Sequence, residues 1–129
     1  MVGMPNVAQH TVLVVEDDRA IREALVECLR DEGYHVVEAD DGREALATLN
    51  AMARPCLILL DLMMPTMNGW EFRAVQRNEA RLADIPVVVM SAFPAGVRTL
   101  QDLDVQAYLQ KPPRFDRLLD VIERYCGSH

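Results

Sequence analysis

"LILLDLMMPTMNG", Leu57 to Gly69, runs four aliphatic residues straight into an aspartate and then into a loop bearing Met, Pro and Gly. A short apolar run bounded by turn residues reads as a strand covered on both faces, the habit of a parallel sheet. Asp61 therefore lies where a buried strand surfaces. A carboxylate in that place is either a turn former or a working group, and the rest of the chain decides between them.

Outward from this stretch the pattern alternates. Residues 11–15, 35–39, 85–90 and 106–109 join 57–60 as strands rich in Val, Ile and Leu. Between them apolar residues repeat at helical spacing: Ile21, Leu25, Cys28 and Leu29; Ala45, Leu46, Leu49 and Met52; Phe115, Leu118, Leu119 and Ile122. Trp70 to Ala80 supplies another helix, and 94–103 a weaker one containing Pro94 and Gly96. Five strands alternating with five helices predict an α/β fold, a doubly wound parallel sheet with right-handed crossovers. In such folds ligands gather beyond the carboxyl ends of the strands.

Those ends carry a consistent chemistry. Strand one runs into Glu16, Asp17 and Asp18, strand three into Asp61, strand four into Ser91 and Ala92, and strand five into Lys111 with Pro112 and Pro113. If strands one and three are neighbours, the carboxylates of Asp17 and Asp61 converge. Two such charges about 5 Å apart at an effective dielectric near 20 repel by roughly 3 kcal/mol. One lysine cannot neutralise three acids, whereas a hard divalent cation with oxygen ligands, Mg²⁺ above all, can. Metal, carboxylate, hydroxyl and ammonium together are parts for phosphoryl transfer to Asp61. Taken singly the residues are unremarkable: Asp17 or Asp18 could cap the first helix, and Met63, Met64 and Met67 could fill core. The conjunction carries the reading.

The bulk properties agree. A chain of 129 residues, half of them hydrophobic, suits one domain with one core. We expect a tail over 1–10, the domain over 11–126 and a short tail over 127–129. No apolar run is long enough for a membrane span, and the first ten residues lack the marks of a secretory signal. A net charge of −7 argues against a nucleic-acid surface. The three cysteines, Cys28, Cys56 and Cys126, are widely separated and have no metal-like spacing. They are expected as reduced thiols in the cytoplasm.

Over roughly residues 10 to 126 the chain resembles the receiver domains of two-component response regulators. "VVEDDRAIREAL" matches the family's acidic motif, "LLDLMMPTMNG" its phosphorylation loop, "VVVMSA" its switch strand and "AYLQKPP" its lysine–proline motif. The resemblance implies a flavodoxin-like sheet of order 2-1-3-4-5. It implies Asp61 as phospho-acceptor, with Mg²⁺ held by Asp17, by Asp61, by the Met63 main-chain carbonyl and, largely through water, by Glu16. Ser91 and Lys111 would take phosphoryl oxygens, Ala92 would leave room beside them, Tyr108 would be the aromatic switch, and Lys111–Pro112 would be cis. It further implies a sensor histidine kinase or phosphotransfer protein as donor and an output partner in trans. The chain itself would be a monomer or weak dimer and no enzyme with a separate substrate. Two departures stand out. The segment between Ser91 and Lys111 is slightly short for the family, and Cys56 stands where an acidic residue is common. Three other readings compete. A flavin module would need a first loop that does not repel phosphate, and an aspartate phosphatase would need an acid at Met63. A pseudo-receiver that only binds protein keeps every residue and is separated by chemistry alone.

Overall fold

The computed structural model describes residues 10–92 and 105–127. Five strands form one parallel sheet: β1 (Thr11–Val15), β2 (His35–Ala39), β3 (Leu57–Asp61), β4 (Val87–Ser91) and β5 (Ala107–Gln110). Their spatial order is β2-β1-β3-β4-β5, as the resemblance implied. β1, β3 and β4 are buried along their whole length, which accounts for their unbroken apolar sequences. Among the described residues there are four helices: α1 (Arg19–Asp31), α2 (Gly42–Ala51), α3 (Gly69–Arg77) and α4 (Phe115–Cys126). The further helix expected over 94–103 lies outside the described residues. No described helix is long and apolar enough to cross a membrane.

Alternation along the strands splits the core in two. Val12, Val14, Leu57, Leu59, Val88, Met90 and Leu109 face α1 and α4, meeting Leu25, Leu29, Leu118 and Ile122. Leu13, Val15, Ile58, Leu60, Val87 and Val89 face α2 and α3, meeting Ala45, Leu49 and Phe72. The period-2 alternation of strand side chains continues at the carboxyl ends. Glu16, Asp61 and Lys111 have the parity of the α1/α4 face, whereas Ser91 and Tyr108 have that of the α2/α3 face, and Tyr108 is half-buried against that second cluster.

Local signals explain most boundaries. Asp18 caps α1 by accepting from the Ile21 N–H at 3.0 Å, and Asp41 caps α2 through the Glu44 N–H at 2.8 Å. Asn68 and Glu71 close a capping box at α3. Two expectations shift. The helix predicted to reach Ala80 stops at Arg77, because buried Gln76 donates its amide to the carbonyls of Leu82 and Ile85 and so wraps the following chain around itself. β4 begins at Val87 rather than Ile85, since Pro86 has no N–H to give the ladder. Its carbonyl still accepts from the Ile58 N–H at 2.9 Å.

The cysteines require a correction. Cys56 and Cys126, expected as reduced thiols, are joined as a disulfide with their Cα atoms 5.3 Å apart, and only Cys28 is free. Spacing in the chain could not show this. It depends on the approach to β3 lying beside the last turn of α4, residues separated by 70 positions.

The loop after β3 is held by close backbone approaches. A Cβ added at Gly69 would lie 2.8 Å from the Asp61 carbonyl oxygen and 2.8 Å from the Leu62 Cα, and one at Gly42 would lie 2.9 Å from the Met67 carbonyl oxygen. Backbone atoms cannot yield as a side chain can. Gly69→Ala should therefore destabilise the protein by about 2 kcal/mol despite alanine's better helix propensity, measured by urea denaturation. A neutral or stabilising result would mean that the loop has slack at this position.

Candidate functional site

The three inner strand ends and β5 converge on one cleft of about 420 Å³, lined among others by Glu16, Asp17, Asp61, Met63, Ala92 and Lys111. Glu16 follows β1 directly, and its N–H extends the ladder by donating to the Ala39 carbonyl at 3.0 Å. Lys111 follows β5, its N–H donating to the Ser91 carbonyl at 2.8 Å, and the Lys111–Pro112 peptide is cis as expected. Both side chains are thus fixed by main-chain bonds to neighbouring strands before any side-chain contact is made.

The acids differ in environment. Glu16 is fully buried and Asp61 is 2% exposed, while Asp17 is exposed at the mouth. One carboxylate oxygen from each of the three lies within 4.8 Å of the others. Lys111, itself largely buried, forms an ion pair with Glu16 and a second, at 3.3 Å, with Asp61. Glu16 also accepts from the Asp18 N–H at 3.0 Å, and Asp61 from the Met63 N–H at 3.3 Å.

These contacts leave the site short of positive charge. Burial pushes the Asp61 carboxyl up to about 7, reinforced by the charge of Glu16 and opposed by Lys111 and the Met63 N–H. Burial works against the Lys111 ammonium as well, but Glu16 and then Asp61 outweigh it and hold Lys111 above its ordinary value. The ammonium is therefore locked in its charged form, and the nucleophile candidate is the group that gives way. Three carboxylates and one ammonium suit a small divalent cation with oxygen preference, which would supply the missing charge.

The remaining expected residues fall around this centre. Ser91 ends β4 and is buried, and Ala92 follows it at the cleft mouth. Met63 has an exposed side chain, so its place in the site rests on its main chain. Tyr108 lies on β5, one sheet face away from Lys111. The bland reading holds for Asp18, whose carboxylate is taken by the α1 cap. Two supporting residues were missed from sequence. Arg22 donates to the Glu16 carbonyl at 2.8 Å and to the Glu38 carboxylate at 3.2 Å, tying the turn after β1 to β2. Its position one turn into α1, within reach of the acidic run, is the signal that could have found it. Thr66 has a φ of 66°, and the Met67 N–H donates to the Pro65 carbonyl at 2.6 Å across it. That is a tight γ-turn in a conformation β-branched residues avoid, and composition gives no sign of it.

Comparison with known proteins identifies the family. The family model of the response regulator receiver domain matches residues 12–123. Response regulator MprA of Mycolicibacterium vanbaalenii is 42% identical over 110 residues, covering 84% of this chain and 46% of its own, so the chain spans about half that relative's length. Among solved structures, chemotaxis protein CheY4 of Vibrio cholerae superposes with a TM-score of 0.82 at 32% identity, covering 89% of this chain and 97% of that one. The receiver domain of a sensor histidine kinase from Pseudomonas aeruginosa, which has a magnesium ion coordinated in its active-site cleft, gives 0.83 at 27% identity over 92% of this chain and 98% of that one. With the sheet order, the acidic cleft and a match over most of its length in agreement, the chain belongs to the response regulator receiver domain family.

Proposed function

We propose that the chain is a phospho-acceptor module. Asp61 takes a phosphoryl group from a phosphohistidine of a sensor kinase or phosphotransfer protein, and the altered surface acts on an output partner in trans. The observation that carries this is Asp61 itself: a buried carboxylate at a strand end, 3.3 Å from a lysine ammonium and within 4.8 Å of two further acids. An Asp61 oxygen attacks phosphorus, a P–O bond forms and the P–N bond to the donor imidazole breaks, its electron pair leaving with that ring. Asp17, Asp61, the Met63 carbonyl and Glu16 would hold Mg²⁺, which would supply the positive charge that such a transfer needs. The magnesium in the cleft of the related kinase receiver supports a metal at this place.

The chain's own residues set the order of events. Lys111 is already charged and anchored by Glu16, so it meets the incoming phosphoryl oxygens without rearranging. The Ser91 hydroxyl would donate to such an oxygen after modification, and Tyr108, on the same sheet face as Ser91, would respond to the change there. The bonds that exist only after modification bias the equilibrium between two arrangements. The chain acts on itself and has no separate substrate. The net charge of −7 argues against a nucleic-acid surface, and a cytoplasmic place and a monomeric or weakly dimeric state fit this role. A pseudo-receiver that only binds protein shares the fold but not the chemistry.

Incubation with Mg²⁺ and a small acyl phosphate should add one phosphoryl group, read by intact mass. Asp61→Asn should stay folded and unlabelled. Labelling of that variant at the wild-type level would move the acceptor elsewhere, and an unlabelled wild type, with kinase donors as well, would favour the pseudo-receiver.

A second outcome follows from the same carboxyl in chelator. Its folded value, about 7 against an ordinary 3.8, means that the folded state holds the Asp61 proton longer than the unfolded chain does. The Asp61 contribution should therefore disfavour folding increasingly as pH rises from about 4 to about 7, and level off above that. Asp61→Asn should melt higher than wild type at pH 8, with the gap closing towards pH 4. A gap that is constant with pH would show that burial does not tax the ionised form. At pH 8, millimolar Mg²⁺ should raise the wild-type melting temperature by a few degrees and do little for Asp17→Asn.

A further inference from the structure

At the end of the sheet opposite the cleft, the segment leading into β3 meets the last turn of α4. The Cys56 N–H donates to the Thr11 carbonyl at 2.9 Å, so its main chain is anchored to β1. Cys126 ends α4, and Gly127 just beyond it accepts a hydrogen bond from the Tyr34 hydroxyl at 2.9 Å. The disulfide thus ties the end of α4 to the segment before β3, while Tyr34, just before β2, contacts the residue that follows the helix.

We propose that Cys56–Cys126 is a reversible thiol–disulfide clasp, with Cys56 as the sulfur attacked by small cellular thiols. Three observations point this way. Cys56 is half-buried, whereas Cys126 is 7% exposed. The reduced state has a place for both groups: the Thr11 carbonyl lies 3.2 Å from the Cys56 sulfur, where it would accept a thiol proton, while Cys126 sits among apolar residues of the α1/α4 core, a normal site for a free cysteine. The fold does not need the bond, since both faces of the sheet are closed by continuous apolar clusters, unlike small scaffolds that depend on disulfides. Cys28 is a poor competitor, its thiol pushed up by burial and by Glu32 and Asp31.

The exchange balances with a thiol of the glutathione class. A thiolate attacks the Cys56 sulfur, the bond to Cys126 breaks, and Cys126 leaves as a thiolate and takes a proton. A second thiol then attacks the mixed disulfide and releases Cys56. The protein gains two electrons and two protons, and the two small thiols depart as one disulfide.

The test is to equilibrate the folded chain in glutathione buffers of increasing oxidation, quench by alkylation and map the cysteines by mass spectrometry. A Cys56–Cys126 bond that forms and opens reversibly is expected. Closing a loop of 70 residues should raise the melting temperature by roughly 10 °C, and reduction should speed hydrogen exchange in the last turn of α4. Cys28→Ser should behave as wild type, and Cys56→Ser should lose the redox-dependent shift. The proposal is overturned if both thiols stay alkylatable in excess oxidised glutathione, if the bond in the folded protein resists excess glutathione, or if the partner is Cys28. Phosphoryl labelling of Asp61, at the other end of the strands, should occur in both redox states, so its failure would count against the proposed function and not against the clasp.

Discussion

One ammonium shared between two buried carboxylates sets the character of this molecule. Lys111 reaches Glu16 and Asp61 from the end of β5, and an unpaired carboxylate at either depth would be expelled or protonated. Removing one member of such a group leaves an uncompensated charge, which is costlier than never having buried it. The pair with Glu16 therefore works as a mount. It holds the lysine in its charged form at a fixed distance from Asp61, so the Asp61 carboxyl adjusts to its surroundings while the cation does not.

The loop between β3 and α3 is the second element the site depends on. It is pinned from both sides by close backbone contact, at Gly69 against Asp61 and Leu62 and at Gly42 against Met67. The Gly42 N–H donates to the Met67 carbonyl at 3.2 Å, and the Gly69 N–H to the Leu62 carbonyl at 2.9 Å. Within that frame Thr66 takes a left-handed conformation that costs of order 1 kcal/mol or more. Strain beside Asp61 is tolerated because the ends of the loop are overdetermined.

Much of this was legible in the chain itself. The buried strands showed as unbroken aliphatic runs, and the winding rule then put Glu16, Asp61, Ser91 and Lys111 at one end of the sheet. The sheet order and the cis bond before Pro112 came from the resemblance and not from periodicity. What escaped were features set by particular side-chain contacts rather than by pattern. The end of α3 depends on Gln76 reaching Leu82 and Ile85 just ahead of it, and the turn after β1 is braced by Arg22, which its place in α1 could have suggested. The bond between Cys56 and Cys126 joins residues 70 positions apart, and no local pattern encodes it.

The alternation of side chains through the sheet divides the candidate site residues between its two sides. Glu16, Asp61 and Lys111 occupy one side of a slab whose middle layer, from Val12 to Met90, is closely packed with aliphatic groups. Ser91 and Tyr108 occupy the other side. A described link between the two sides lies at the end of the sheet, where the Lys111 N–H donates to the Ser91 carbonyl. Asp61 sits at that same border, where the solid layer stops and an ammonium and a main-chain N–H take over as its neighbours.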